Sequence, residues 1–258
     1  MKRTLLLLAV AALALAGCRS GGAPQDPILR LSAEESLAQG KDLLAREKYG
    51  AARPYFTHAF EVEPNSAIGR EALLLAADTY YLQGGTTNYV QAEAKYRDFL
   101  NRFPTSDQAA YVQFQIANSL AKRMEKPDRD QSVTRKALEA YEALIRLYPT
   151  SEYASQAQEQ MNAVLVNLAE HEFQIGRFYQ RYGAPVAAAE RYEYLLATYP
   201  QYKEKDKVIY YLAVAYVGAG RVDDAVKTFE RLQSEYPQSP FLREIPTIPN
   251  QKAQKAGK

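Results

Sequence analysis

The sequence is short of the residues that most protein chemistry uses. Of its 258 residues one is cysteine, two are histidine and none is tryptophan. The lone Cys18 has no partner for an internal disulfide and cannot form a metal-binding pair. His171-Glu172 begins the zinc motif HExxH, but the second histidine would fall at Ile175. One helical turn would bring both ligands to one face, and here one is missing. No GxxxxGK[ST] or GxSxG stretch occurs, and Gly176 and Gly183 form no dinucleotide fingerprint. An excess of one charge is also lacking. The formal net charge is +2, and apart from Lys2 and Arg3 the basic and acidic residues number 30 each. A balanced chain offers no electrostatic footing for nucleic acid. Carboxylates alternate with Lys and Arg, the pattern of solvated helix faces rather than of a catalytic dyad. Asp128-Arg129-Asp130 flanks an arginine with two acids, a poor calcium site, and is expected to act as a salt-bridged loop staple. Long apolar runs are absent too: Leu5 to Ala16 is an unbroken stretch of 12, against the roughly 20 that a membrane-crossing helix needs.

That short run has a function of its own. Lys2-Arg3 precedes it and Leu15-Ala16-Gly17-Cys18 follows it. A basic start, an apolar core and small residues make a signal peptide over residues 1–17. The cysteine directly after it resembles the bacterial lipobox, so Cys18 is expected to become the lipidated first residue. That covalent lipid is the only non-protein group expected. Arg19 stands where an inner-membrane retention signal would place Asp, which favours the outer membrane. Residues 18–31, rich in Gly, Pro and polar side chains, read as a flexible tether.

From residue 32 the pattern is helical and repeats. Ser32-Ala33-Glu34-Glu35 fits a capping box. Helix pairs are predicted over 32–62, 67–102, 107–147, 153–198 and 205–235, with Pro54 in the first turn of its helix or at a kink. The first helix of the fourth pair, Tyr153 to Tyr182, is long and expected to project beyond its neighbours. Pro64, Pro104, Pro149, Pro200 and Pro237 close the pairs at intervals of 40, 45, 51 and 37 residues. Two helices and a terminal proline with a period of about 34 is the tetratricopeptide pattern, and each interval here is that unit plus an insertion. Ala92, Ala137, Ala187 and Ala225 stand early in the second helices, where backbones can approach closely. The fold class is therefore all-α, a tetratricopeptide-like (TPR) helical repeat solenoid of about five helix pairs over 32–237. Residues 238–258, with three prolines and a Lys-rich end, are expected to be disordered.

Such a stack presents a groove lined by its first helices. Tyr80, Tyr81, Tyr111, Phe114, Phe178, Tyr179, Tyr210 and Tyr211 fall on those helices. Most are expected to be core. Adjacent residues on a helix point about 100° apart, so one of each neighbouring pair should be partly exposed. An aromatic groove of that kind suits an extended or helical peptide.

The lipobox, the tether, the five irregular repeats and two segments carry a resemblance. The segments are Asp128-Arg129-Asp130-Gln131 with Arg146 to Tyr153, and Leu168 to Pro200 including His171-Glu172, Phe178-Tyr179 and Ala188-Ala189-Glu190-Arg191. The chain resembles the BamD (YfiO) family, lipoproteins of the outer-membrane β-barrel assembly (BAM) machinery. The resemblance implies a non-enzymatic adaptor on the periplasmic face of the outer membrane. Its C-terminal half would bind the POTRA region of a BamA-like barrel protein, its N-terminal half would receive unfolded outer-membrane β-barrel proteins, and other BAM lipoproteins are further candidate partners. Arg191 matches the family's partner-binding arginine, and its planar fork suits a carboxylate. Glu190 beside it and Arg177 on the preceding helix complete the expected partner-binding set. Tyr80, Tyr81, Tyr111 and Phe114 form the expected substrate groove. The structural alternative for Arg191 is a surface pair with Glu190 or Glu193. Arg191→Glu is expected to break the complex without unfolding the chain. The runner-up function is a periplasmic repeat lipoprotein that scaffolds cell-wall enzymes.

Overall fold

A computed structural model describes residues 26–247. The expected signal peptide, Cys18, most of the tether and the end of the tail lie outside the described residues. Among the described residues the ordered elements are helical. They are α1 (Ala33–Ala45), α2 (Tyr49–Val62), α3 (Ala67–Gln83), α4 (Thr86–Arg102), α5 (Ala109–Ala121), α6 (Ser132–Leu147), α7 (Glu152–Arg181), α8 (Pro185–Thr198), α9 (Lys205–Gly218) and α10 (Val222–Glu235). Short 3-10 segments, Pro27–Arg30 and Pro240–Glu244, stand before and after them. The fold class is the expected all-α tetratricopeptide-like repeat. The chain divides into two units within α3, after Ala76.

The second helices share one register. Ala52, Ala92, Ala137, Ala188 and Ala225 have no exposed surface. One turn later come Phe56, Tyr96, Tyr141, Tyr192 and Phe229, all buried, and three residues on come Ala59, Phe99, Leu144, Leu195 and Leu232, also buried. In the fourth pair the small residue is thus Ala188, one position after the expected Ala187, which is only half-buried. Eight residues after each aromatic stands the closing proline. The proline ring disfavours helical geometry in the residue before it. Glu63, Phe103, Tyr148, Tyr199 and Tyr236 all take φ between −120° and −134° and ψ between 56° and 65°. Each still donates its N–H to the carbonyl four residues back, which satisfies one orphan acceptor of the helix end.

In the first unit the capping box forms as expected. Glu35 N donates to Ser32 Oγ at 3.1 Å and Ser32 N to Glu35 Oε2 at 2.8 Å. Leu37, Ala52, Phe56, Ala59, Ala72 and Ala76 make the core. Gly40 permits a close approach of α2 to α1: a Cβ there would stand 2.5 Å from the Phe56 ring. Pro54 lies in the second turn of α2 rather than the first. The tether ends earlier than expected. Asp26 Oδ1 caps the 3-10 turn by accepting from Ile28 N at 3.1 Å, and the His58 ring nitrogen Nε2 lies 3.0 Å from the Leu31 carbonyl.

The turn between α1 and α2 carries a cost. Glu47 has φ 57°, in the left-handed region, where the matching turns of later pairs use Gly183 (φ 75°) and Gly220 (φ 73°). A side chain there costs roughly 1–2 kcal/mol, part of which glycine's greater unfolded-state entropy offsets. Glu47→Gly is therefore expected to stabilise the chain by about 1 kcal/mol, read as a higher urea midpoint at unchanged slope.

In the second unit α7 spans 30 residues, as its sequence pattern predicts. It does not project freely. Its first turns pack on α5 and its second half on α8 and α9. Tyr153 meets the rings of Tyr111 and Phe114, and Phe173 meets those of Tyr192 and Tyr211. Buried residues recur from Ala154 to Gly176, interrupted by the largely exposed stretch 158–163, and none follows Gly176 in the helix. The tail also departs from expectation. Ser239 is buried and donates to Asp206 Oδ2 at 2.7 Å, and Phe241 stacks on Tyr210 at 5.2 Å. An aromatic ring and a capping serine are enough to hold residues 239–244 against α9, which composition alone does not reveal.

Candidate protein-docking site

A cavity of about 670 Å³ in the second unit lies along α7. His171, Gln174, Ile175 and Phe178 recur at helical spacing and form one wall. Arg191 from α8 and Pro127 with Asp128 from the α5–α6 loop form the others. Phe178 is 52% exposed and its ring lies 4.5 Å from that of Tyr182, itself 70% exposed. Val186, at the start of α8, is also exposed. A pocket with an aromatic rim and an arginine at its edge has the makeup of a protein-docking surface.

The loop wall is held in place by polar side chains rather than by the expected salt bridges. Asp128 and Arg129 are 3.9 Å apart and exposed. The staple is Gln131, which is 1% exposed. Its Nε2 donates to the carbonyls of Lys126 at 2.8 Å and Arg129 at 3.1 Å, and its Oε1 accepts from Thr134 Oγ1 at 2.7 Å. Asp130 caps α6 by accepting from Ser132 N at 3.0 Å. Two bonds fasten the loop to α7: Asn167 Nδ2 donates to the Glu125 carbonyl at 3.0 Å, and His171 Nδ1 lies 2.6 Å from the Pro127 carbonyl. His171, part of an incomplete zinc motif in the sequence, thus braces a loop.

Arg191 pairs with neither Glu190 nor Glu193. Its Nη1 lies 3.0 Å from Glu172 Oε2 on α7, and that carboxylate is buried while the arginine side chain stays 42% exposed. Glu193 instead accepts from Tyr216 and Arg221. Glu190 is exposed, and Arg177 is spent internally, its guanidinium 3.8 Å over the Tyr211 ring. The close packing of α7 and α8 that brings Glu172 within reach of Arg191 depends on Gly176, where a Cβ would run into the buried ring of Tyr192. Sequence reasoning passed over Glu172. The available signal was its place midway between Leu168 and Gly176, at positions i, i+4 and i+8 of the inward face.

The expected substrate-groove residues separate. Tyr81 and Phe114 line a second cavity of about 300 Å³, with Asn118, Lys122, Met124 and Val164. Tyr111 is half-buried and committed internally: its hydroxyl donates to Asp78 Oδ1 at 2.9 Å and its ring packs on Tyr153. Tyr80, half-buried, does not line that cavity. Phe178 and Tyr210 each follow the expectation for neighbouring aromatics: Phe178 is exposed beside half-buried Tyr179, and Tyr210 is buried beside half-buried Tyr211.

Asp78 also accepts from Tyr96 Oη at 2.6 Å. Burial raises its pKa against the lowering effect of the two tyrosines. A carboxyl raised in the native state binds its proton more tightly there than when unfolded. Its contribution therefore favours folding below the ordinary carboxylate range and falls away as pH rises through the native value. Asp78→Asn should remove that slope. Urea midpoints between pH 3.5 and 7 are expected to shift in favour of the variant as pH rises.

Among the described residues no group of three His, Cys, Asp or Glu side chains could hold a metal, and no helix is long and apolar enough to cross a membrane. A family model described as outer membrane lipoprotein, YfiO, matches residues 31–220, and a tetratricopeptide repeat model matches 207–239. Several relatives bear the name outer membrane protein assembly factor BamD. That of Neisseria meningitidis serogroup A is 27% identical over 253 residues, covering 94% of each chain. That of Rickettsia prowazekii is 29% identical over 241 residues, covering 93% of this chain and 94% of its own. That of Haemophilus influenzae is 28% identical over 265 residues, covering 95% and 98%. With nearly three quarters of its length matched, from just before α1 through the α9–α10 turn, the chain belongs to the YfiO family of outer membrane lipoproteins.

Proposed function

We propose that this protein is a non-enzymatic adaptor of outer-membrane β-barrel assembly, held to the periplasmic face of the membrane by lipid on Cys18. The cavity along α7 docks the periplasmic POTRA region of a BamA-like barrel protein. The smaller cavity at Tyr81 and Phe114 receives apolar segments of unfolded outer-membrane β-barrel proteins. One observation carries the first assignment: a cavity of about 670 Å³ whose loop wall is fastened at three side chains, and whose rim leaves Phe178 and Tyr182 in solvent. Exposed aromatics beside a preformed pocket suit a folded partner, because little ordering entropy is lost on binding. The relatives' name as assembly factors agrees with this reading.

The test is recovery of partners from detergent-solubilised membranes. The tagged protein should bring down a large barrel protein at near-equal yield. Phe178→Glu, at a half-exposed position with no core contact to lose, should abolish that recovery while leaving the thermal midpoint within about 2 °C, since surface changes cost under about 0.5 kcal/mol. Recovery of cell-wall enzymes in place of the barrel protein would establish the scaffold role instead.

A further inference from the structure

We infer that Glu172 is a positioning residue, one that sets the guanidinium of Arg191 at the mouth of the α7–α8 cavity for a partner's acidic or carbonyl group. The inference rests on the docking role proposed for that cavity. Its physical basis is the asymmetry of the pair. Glu172 is 5% exposed, on the inward face of α7 between Leu168 and Gly176. Arg191 reaches across from α8, with 42% of its side chain still exposed, and lines the cavity. Among the described residues Glu172 is its one ion-pair partner.

A carboxylate in that place does not serve packing. Removing it from water is costly, and an apolar side chain of similar volume at such a site is often neutral or stabilising. What the carboxylate supplies is direction. Arginine has five N–H donors in a rigid plane. One bond, from Nη1 at 3.0 Å, ties that plane to α7. The rest of the fork stays at the cavity wall. A long side chain held this way loses less rotamer entropy when a partner arrives than one free in solvent. The spacing is itself built in. Gly176, one turn after Glu172, lets Tyr192 approach α7, and Tyr192 is the neighbour of Arg191 in sequence. Glu190 and Glu193 flank Arg191 without pairing to it, so the fork is not drawn outward along its own helix.

The experiment is a double-mutant cycle read in two quantities. Affinity for the purified periplasmic region of the BamA-type barrel protein of the same organism is measured alongside urea unfolding of the full chain. The variants are Glu172→Gln, Arg191→Met and the two combined. Gln keeps the volume and an acceptor but loses the charge. Glu172→Gln should weaken binding about tenfold, or about 1.4 kcal/mol, among molecules that are folded. Arg191→Met should weaken it at least as much. In the Arg191→Met background, Glu172→Gln should change affinity no further. A purely structural Glu172 would move the urea midpoint and leave affinity unchanged, which would overturn the inference while leaving the docking role intact. If Arg191→Met binds as well as the parent, the arginine does not touch the partner, and both the inference and its share in the docking site fall.

Discussion

Tyr192→Ala is expected to lower stability by about 3–5 kcal/mol. Tyr192 has no exposed surface and fills the space against Gly176, where α7 and α8 come closest. Its ring also contacts Phe173 and its hydroxyl donates to Gln180 Oε1 at 3.1 Å. Truncation leaves a cavity the size of the ring between two helices held apart by other contacts. Tyr192→Phe keeps the packing and loses one neutral hydrogen bond, so it should cost only about 1 kcal/mol. The two variants, compared by urea denaturation, separate ring packing from the hydroxyl. Loss of the docking site should follow the first and not the second, because the α7–α8 spacing sets where Arg191 lies.

Arg191→Glu is expected to cost about 3 kcal/mol as well as partner binding. From sequence alone the change is expected to leave the fold intact. In the fold, the new carboxylate would face Glu172 across the gap now spanned at 3.0 Å, with Glu172 buried and its counter-charge gone. Breaking a buried pair from one side is far more damaging than removing an exposed one. The cost should shrink when the same change is made in a Glu172→Gln background, since no second charge is then left buried. Circular dichroism melts of the single and double variants test this. A single variant with the parent's melting point would show that the pair contributes nothing to the fold.

Much of the architecture was legible because it rests on local chemistry. The five Ala-aromatic-proline registers need only helical spacing and the steric rule that proline imposes on its predecessor. Those properties travel with the residues wherever the chain goes, and the capping box at Ser32 and the length of α7 were readable for the same reason. The one-residue error at Ala187 arose from a run of three alanines, Ala187 to Ala189, where composition cannot set the phase.

The site was legible only in outline. Phe178 and Arg191 stood out as residue types in the right helices. Which of their neighbours they would meet depended on elements far apart in sequence. Arg191 pairs 19 positions back with Glu172, and His171 reaches 44 positions back to the Pro127 carbonyl. Tyr111 looked like groove lining until Asp78, 33 positions earlier, claimed its hydroxyl. The ordered turn at 239–244 likewise exists because Tyr210 offers Phe241 a ring to stack on. By itself the sequence determined the helices, their inward faces and their ends, since those follow from neighbours within one or two turns. Tertiary structure alone decided which arginine is held, which loop becomes a wall and which aromatics stay in solvent, because a side chain's partner across a helix interface is set by the packing of backbones and not by its own identity.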